Sequence, residues 1–359
     1  MTGLADALQE EIRRAGPMPV ARFMDVALND PAYGYYRTRD PLGAGGDFIT
    51  APEISQMFGE LIGAWLAVAW QQAGSPALCH LVELGPGRGT LLADALRATK
   101  RLTGFHAALR IHLVETNPVL RDAQAKALTG FRPAWHDDVT TLPDGPLLLV
   151  ANEFFDALPI DQYVHASGAW HERRVGLAKN DRGGDVFAFV AGPVAKVLFP
   201  AAPDGAIRED SPATHAVARQ VAARLAAFGG AALIVDYGYA EEATGDSLQA
   251  MRGHGRHDPL ADPGEADLTA HVNFAALAAV ARQAGAVAYG PVPQGQLLES
   301  LGIAARADML SRAAPDQAGK IGLAVKRLIA PTEMGTLFKA LALTGPRQPT
   351  PAGFPEFRP

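Results

Sequence analysis

Apolar residues recur at helical spacing from the start of the chain: over residues 4–14 (LADALQEEIRR), Leu4, Ala7, Leu8 and Ile12 share one face. Pro17 and Pro19 stop that helix before a second, short one over residues 20–28. Residues 29–52 break the pattern with Gly, Pro and Asp. Their aromatic side chains Tyr33, Tyr35, Tyr36 and Phe48 nevertheless favour an ordered, packed segment. An apolar helix is expected over residues 53–73, with Ser75 and Pro76 as breakers, and then a regular alternation sets in. Strand-like apolar runs at 80–84, 110–115, 131–136 and 146–151 are separated by helical patterns at 90–101 and 118–128. Further apolar runs at 231–237 and 322–329 are expected to add strands. Strands alternating with helices imply parallel βαβ units, hence an α/β fold with a mostly parallel, doubly wound, Rossmann-like sheet. Residues 162–200 alternate polar and apolar positions around the turn Asn180-Asp181-Arg182-Gly183-Gly184, the pattern of an antiparallel insertion.

With 359 residues, 48% of them hydrophobic and 19% charged, the chain can pack one large domain with additions or two modest ones. A net charge of −6 argues against a nucleic-acid binder working by bulk attraction to phosphates. Cys79 is the single cysteine, so neither a disulfide framework nor a cysteine metal cluster is expected. The first residues lack the apolar core of a signal peptide, and the longest apolar run, residues 61–70, is about half of the roughly 20 residues a membrane helix needs. The expectation is a soluble, cytoplasmic protein without membrane insertion.

The sharpest chemistry lies at residues 81–90 (LVELGPGRGT), where an apolar strand runs into Gly85, Gly87 and Gly89 and then a helix. Such a turn lets a ligand approach the backbone and the amides at the helix start. The G-x-G-x-G spacing, in place of G-x-G-x-x-G, fits an S-adenosyl-L-methionine (SAM) site better than a dinucleotide site, and so disfavours an NAD-dependent oxidoreductase. Glu115, closing the next strand, is placed to accept ribose hydroxyls. Asp137 or Asp138, after the third strand, would face the adenine amino group; a turn or cap role is the alternative for each. The fourth strand runs into Asn152, Glu153, Phe154, Phe155 and Asp156, at the strand end where a methyl acceptor should arrive. Two acids and two phenylalanines suit a planar cation such as a guanidinium. Helix capping by Asp156 and a core role for both rings are the structural alternative. Asp236 stands behind these acids as a further candidate. His254, His257, Asp258 and His271 lie in or near a glycine-rich segment read as a flexible loop and lack a ligand spacing, so no metal is expected. Ser55 and Ser211 lack a nucleophile elbow.

The segments GDFITAPEISQMFGELIGAW (46–65), LVELGPGRGTL (81–91), NEFFDALPIDQY (152–163), VDYGY (235–239), ADLTAHVNF (266–274) and MGTLFK (334–339) resemble the MidA family of SAM-dependent methyltransferases over nearly the whole chain. Asn273 stands where many relatives are expected to carry an acid. The resemblance implies a class I methyltransferase core over residues 61–345, interrupted by an insertion at 162–215. It also implies a helical N-terminal extension with a cofactor-covering loop over 1–60 and a Pro-rich tail over 346–359. It implies SAM as cofactor, with Thr50, Pro52 and Glu53 near the site, and a protein arginine acceptor, as in the mitochondrial members that assist assembly of respiratory complex I. The catalytic residues would then be Asn152, Glu153 and Asp156. A SAM-binding assembly factor that transfers no methyl group is the alternative.

Overall fold

Seven apolar segments meet side by side in the computed structural model, which describes residues 3–38, 50–197 and 199–355. They are β1 (Cys79–Leu84), β2 (Leu109–Val114), β3 (Ala134–His136), β4 (Leu147–Asn152), β5 (Gly230–Tyr239), β6 (Val287–Pro293) and β7 (Phe338–Thr344), in the order β3-β2-β1-β4-β5-β7-β6. A two-residue strand, Val272–Asn273, pairs in parallel with the end of β5. β1 through β5 are parallel, and β7 runs antiparallel between β5 and β6. Every residue of β1 and of β4 is buried, as expected of central strands covered on both faces. The strand order reverses between β1 and β4, which opens a crevice at their carboxyl ends.

The helix Gln56–Gln72 lays Phe58, Ile62, Trp65 and Leu66 into the same apolar core as Leu81, Leu148 and Leu233. Its Gly59 and Gly63 let the helix Thr90–Thr99 come close: a Cβ on Gly63 would lie 2.6 Å from the Cα of Ala95. The Pro-rich end packs on this helix too, with the carbonyl of Ala352 accepting from Trp65 Nε1 at 3.0 Å.

The chain divides into two compact units. One holds the large sheet (Ile49–Asp156, His215–Glu241, Val272–Pro359); the other is built from Met1–Phe48, Ala157–Thr214 and Glu242–His271. In the second, Met18–Pro19, Asp161–Ala166, Ala169–Lys179, Asp185–Val194 and Ile207–Asp210 form an antiparallel sheet over a core that includes Leu8, Phe23, Met24 and Val175. The expected turn is present, with Asn180 Oδ1 accepting from the amides of Arg182 and Gly184.

Two expectations need correction. Residues 322–329 are not a strand but part of the helix Ala318–Ile329: Ile321, Val325 and Leu328 recur at helical spacing, and the sheet position is taken by β7. The segment around Gly253-His254, read as a flexible loop, is the turn of a hairpin between Gln249–Arg252 and Gly255–His257. Part of the irregular segment at 29–52, residues 39–49 with Phe48 among them, lies outside the described residues.

Candidate functional site

At the end of β1 the backbone turns through Gly85, Gly87 and Gly89 with φ of +58°, +52° and +83°, the left-handed region that side chains disfavour. There is also no room for a side chain at the first of them: a Cβ on Gly85 would lie 2.9 Å from Cδ2 of Phe154. Gly89 sits at the N-cap of the helix Thr90–Thr99, whose first amides open toward the crevice.

Glu115 follows β2, half-buried, with Oε1 accepting from the amide of Asn117 at 2.8 Å. Gln124, fully buried, joins this acid to the glycine turn. Its Nε2 donates to the carbonyl of Gly87 at 2.7 Å and to Glu115 Oε2 at 3.3 Å, while its Oε1 accepts from Trp135 Nε1 at 2.8 Å. Beyond β3, Asp137 pairs with Arg121 at 2.5 Å. Asp138 caps the turn that follows, its Oδ1 accepting from the amide of Thr140 at 2.7 Å.

β4 delivers the residues expected on the acceptor side. Glu153 has φ of +52°, rare for a residue with a side chain, and its amide donates to the carbonyl of Val235 at 3.0 Å. Its Oε1 accepts from Asn152 Nδ2 at 3.0 Å and from the amide of Ala51 at 3.1 Å. The short helix Ala51–Ile54 thereby reaches the β4 end, and it also reaches the glycine turn, because Glu53 Oε1 accepts from Thr90 Oγ1 at 2.5 Å. Thr50 occupies the N-cap of this helix without a side-chain capping bond, and Pro52 lies in its first turn. Asp156 lies in a turn at which no helix begins, and Phe155 is core while Phe154 stays half-buried against Gly85.

Asp236, placed in the sequence as a supporting acid, is a fully buried anchor: its Oδ2 accepts from the amides of Phe154 and Phe155 at 3.1 and 2.9 Å. Gln124, the Glu53–Thr90 contact and Glu83 escaped sequence reasoning. Only Glu83 left a trace, as an acid inside an otherwise apolar strand. No cluster of His, Cys, Asp and Glu among the described residues is arranged to hold a metal ion.

The crevice is rich in acceptors with little to accept. Glu83 Oε2 and Asn152 Oδ1 are buried without a hydrogen-bond partner among the described residues. Burial pushes the Glu83 carboxyl up to about 8 and the Glu153 carboxyl up to about 7, and it raises Asp236 as well, with the nearby Glu153 charge adding to the effect. The native state therefore keeps a proton on Glu83 that the unfolded chain releases near its ordinary value of 4.5. This contribution to stability is complete below that value and is lost as pH rises toward 8, by at most about 1.4 kcal/mol per pH unit. Glu83→Gln, neutral throughout, should melt progressively higher relative to the parent between pH 5.5 and pH 8 (roughly the window of the shift). A constant difference across that window would show that Glu83 is not buried as the neutral acid.

A family model described as "Putative S-adenosyl-L-methionine-dependent methyltransferase" matches residues 61–292. The Drosophila melanogaster "Protein arginine methyltransferase NDUFAF7 homolog, mitochondrial" is 39% identical, over 95% of this chain and 84% of its own. Its Danio rerio counterpart, "Protein arginine methyltransferase NDUFAF7, mitochondrial", is 37% identical over 92% of this chain and 84% of its own. The crystal structure of a COG1565 superfamily protein from Burkholderia thailandensis bound to S-adenosyl-homocysteine superposes with a TM-score of 0.81 at 30% identity, covering 95% of this chain and 91% of that one. The crevice fits such a ligand: an ammonium suits Asn152 Oδ1, a buried acceptor without a partner among the described residues, and the left-handed glycines leave the backbone open to it. The chain belongs to the SAM-dependent methyltransferase family, and its class I fold and SAM crevice are those of an enzyme that takes its methyl group from SAM.

Proposed function

We propose that the enzyme is a protein arginine N-methyltransferase, with Glu153 as the group that receives the guanidinium. The observation that carries this is the Glu153 carboxylate itself: strained in backbone, half-buried at the strand end, with Oε1 fixed by two donors and Oε2 taking none from the described residues. The names of the relatives point to the same acceptor.

SAM supplies an electrophilic methyl group when bound. Glu153 Oε2 would accept an N–H of the guanidinium and hold the plane so that one nitrogen faces the donor. Being raised to about 7, the same carboxylate is suited to take the proton that the nitrogen sheds. Asp156 adds a second negative charge at the turn, and Phe154 a ring beside it. On the donor side we assign Gly85, Gly87 and Gly89 to the methionine portion, Glu115 to the ribose, Asp137 and Asp138 to the adenine edge, and Thr50 and Pro52 to the cover. Glu115→Ala should weaken S-adenosyl-homocysteine binding by roughly 1.5–3 kcal/mol, the worth of hydrogen bonds to a charged group. Calorimetry showing unaltered affinity would remove the acid from the ribose site.

The proposed partner is a protein, with a respiratory complex I subunit as the first candidate, met in the cytoplasm of a bacterial cell or the matrix of a mitochondrion. Residues 1–60 would form a helical extension with the cofactor cover and the insertion 162–215 a surface to recognise the partner, leaving 61–345 otherwise as catalytic core and 346–359 as tail. Mass spectrometry of cells with and without the gene tests the proposal. A methylated arginine that vanishes on deletion and returns with the intact gene is expected. Methyl groups found only on other residue types, or an unaltered methylation pattern, would overturn it.

A further inference from the structure

His80, His112 and His136 stand one each on β1, β2 and β3 and cross the sheet on a diagonal. His112 lies opposite Val82 on one side and Ala134 on the other, and His136 ends β3 opposite Val114. Their rings are in register with one another. His80 Nδ1 is 3.0 Å from His112 Nε2, and His112 Nδ1 is 3.0 Å from His136 Nε2. His136 Nδ1 then meets Thr141 Oγ1 at 2.9 Å. At the other end the remaining nitrogen of His80, Nε2, faces the backbone of Gly145, where a Cβ would lie 2.9 Å from it. The row thus begins and ends on one connection, the segment 137–146 that joins β3 to β4.

Hydrogen-bond arithmetic fixes the direction. A carbonyl only accepts, so the Thr141 hydroxyl, 2.8 Å from the carbonyl of Asp138, donates there and accepts from His136 Nδ1. Neutral His136 then accepts through Nε2 from His112 Nδ1, and His112 Nε2 accepts from His80 Nδ1. Asp138 in turn caps the turn Val139–Thr141.

We propose that the three histidines form a one-way hydrogen-bond relay that positions the turn 138–141, and with it Asp138, at the carboxyl edge of β3 for cofactor binding. The cofactor part rests on the assignment of Asp138 to the adenine edge. The relay is neutral at neutral pH. Burial leads in opposing a charge on each ring; Arg110 and Arg224 face His80, and Arg121 and Arg224 face His136, all disfavouring a second proton. The backbone of Thr141 and then Asp137, both beside His136, and the backbone of Asp144, beside His80, favour one but are outweighed. Arg224 also holds the same connection from the helix side, donating to the carbonyls of Leu142 and Pro143 at 2.7 and 3.0 Å. What is left to the relay is the end of the connection nearest β3, which Arg224 holds only by a long contact of 3.5 Å at the carbonyl of Thr140.

Three measurements on the full chain test this. Nitrogen-15 spectra at neutral pH should show all three rings as the Nδ1–H tautomer, and an Nε2–H ring among them would overturn the relay. In His112→Phe, which cuts the row at its middle, amide hydrogen exchange at Thr140 and Thr141 should quicken about tenfold without ligand; unaltered exchange in the folded variant would overturn positioning. S-adenosyl-homocysteine should bind about fivefold more weakly to His112→Phe and to Thr141→Val, no more weakly to the double variant than to either, and normally to Thr141→Ser. Effects that multiply in the double variant would overturn the coupling. Faster exchange with unaltered affinity would overturn the cofactor role, and Asp138→Ala measured alongside tells whether the adenine assignment has failed with it.

Discussion

Glu153→Gln is expected to slow methyl transfer at least about 100-fold while leaving S-adenosyl-homocysteine affinity within about twofold, a loss of roughly 2.7 kcal/mol confined to the transition state. The substitution keeps the volume, so the amide of Ala51 and Asn152 Nδ2 can still bond to the oxygen that remains. What it removes is the charge opposite a guanidinium and the site that takes its proton. It also turns an acceptor into an NH2 group that faces a ligand made of donors. The groups proposed for the donor side belong to other strands, at Gly85 to Gly89 and Glu115, which is why binding of the product should survive. Calorimetry for binding and single-turnover methylation of the identified partner separate the two effects. A variant that transfers at the parent rate would return Glu153 to a purely structural duty, the attachment of the helix Ala51–Ile54.

How far such a site is legible in a sequence depends on the range of the interactions that make it. Gly85, Gly87 and Gly89 are legible because a left-handed turn between a buried strand and a helix is a local requirement, written in adjacent residues. Glu115 and the β4 end follow from topology, since every parallel strand must deliver its last residue to the same edge. The Gln124 bridge is different: it joins a helix face to a turn 37 residues earlier, and no local pattern distinguishes it from any other buried glutamine. The same holds for Asp236, which acts on amides about 80 residues before it. β7 is hidden because its apolar run follows a helix that satisfies the same composition. Residues 322–329 and 338–344 are both short and apolar, and only spacing separates them. The hairpin at 249–257 is obscured by its glycines, which read as looseness where they serve a tight turn.

Asp236→Ala is expected to be the most damaging single change to the fold of the site, costing about 3–5 kcal/mol of stability, the order for leaving several buried amides without their acceptor. The carboxylate has no exposed surface. Its Oδ2 gathers the amides of Phe154, Phe155 and, at 3.4 Å, Asp156, while Oδ1 accepts from the amide of Tyr237 at 2.8 Å. Without it these amides keep their burial and lose their acceptor, and alanine admits no more than a trapped water in exchange. The strain at Glu153, with φ of +52°, is tolerated only because the next residues are pinned, so the turn should relax and carry Glu153 away from Ala51. Methyl transfer should therefore fall along with stability in Asp236→Ala. In Asp236→Asn, which keeps one acceptor oxygen and the shape, part of both should return. Urea denaturation of the three proteins, read with the rate of transfer well below each midpoint, makes the comparison. If Asp236→Ala unfolded within about 1 kcal/mol of the parent and still methylated its partner normally, the amide cradle would not be what holds the acceptor turn in place, and the support for Glu153 would have to come from Ala51 and Asn152 alone.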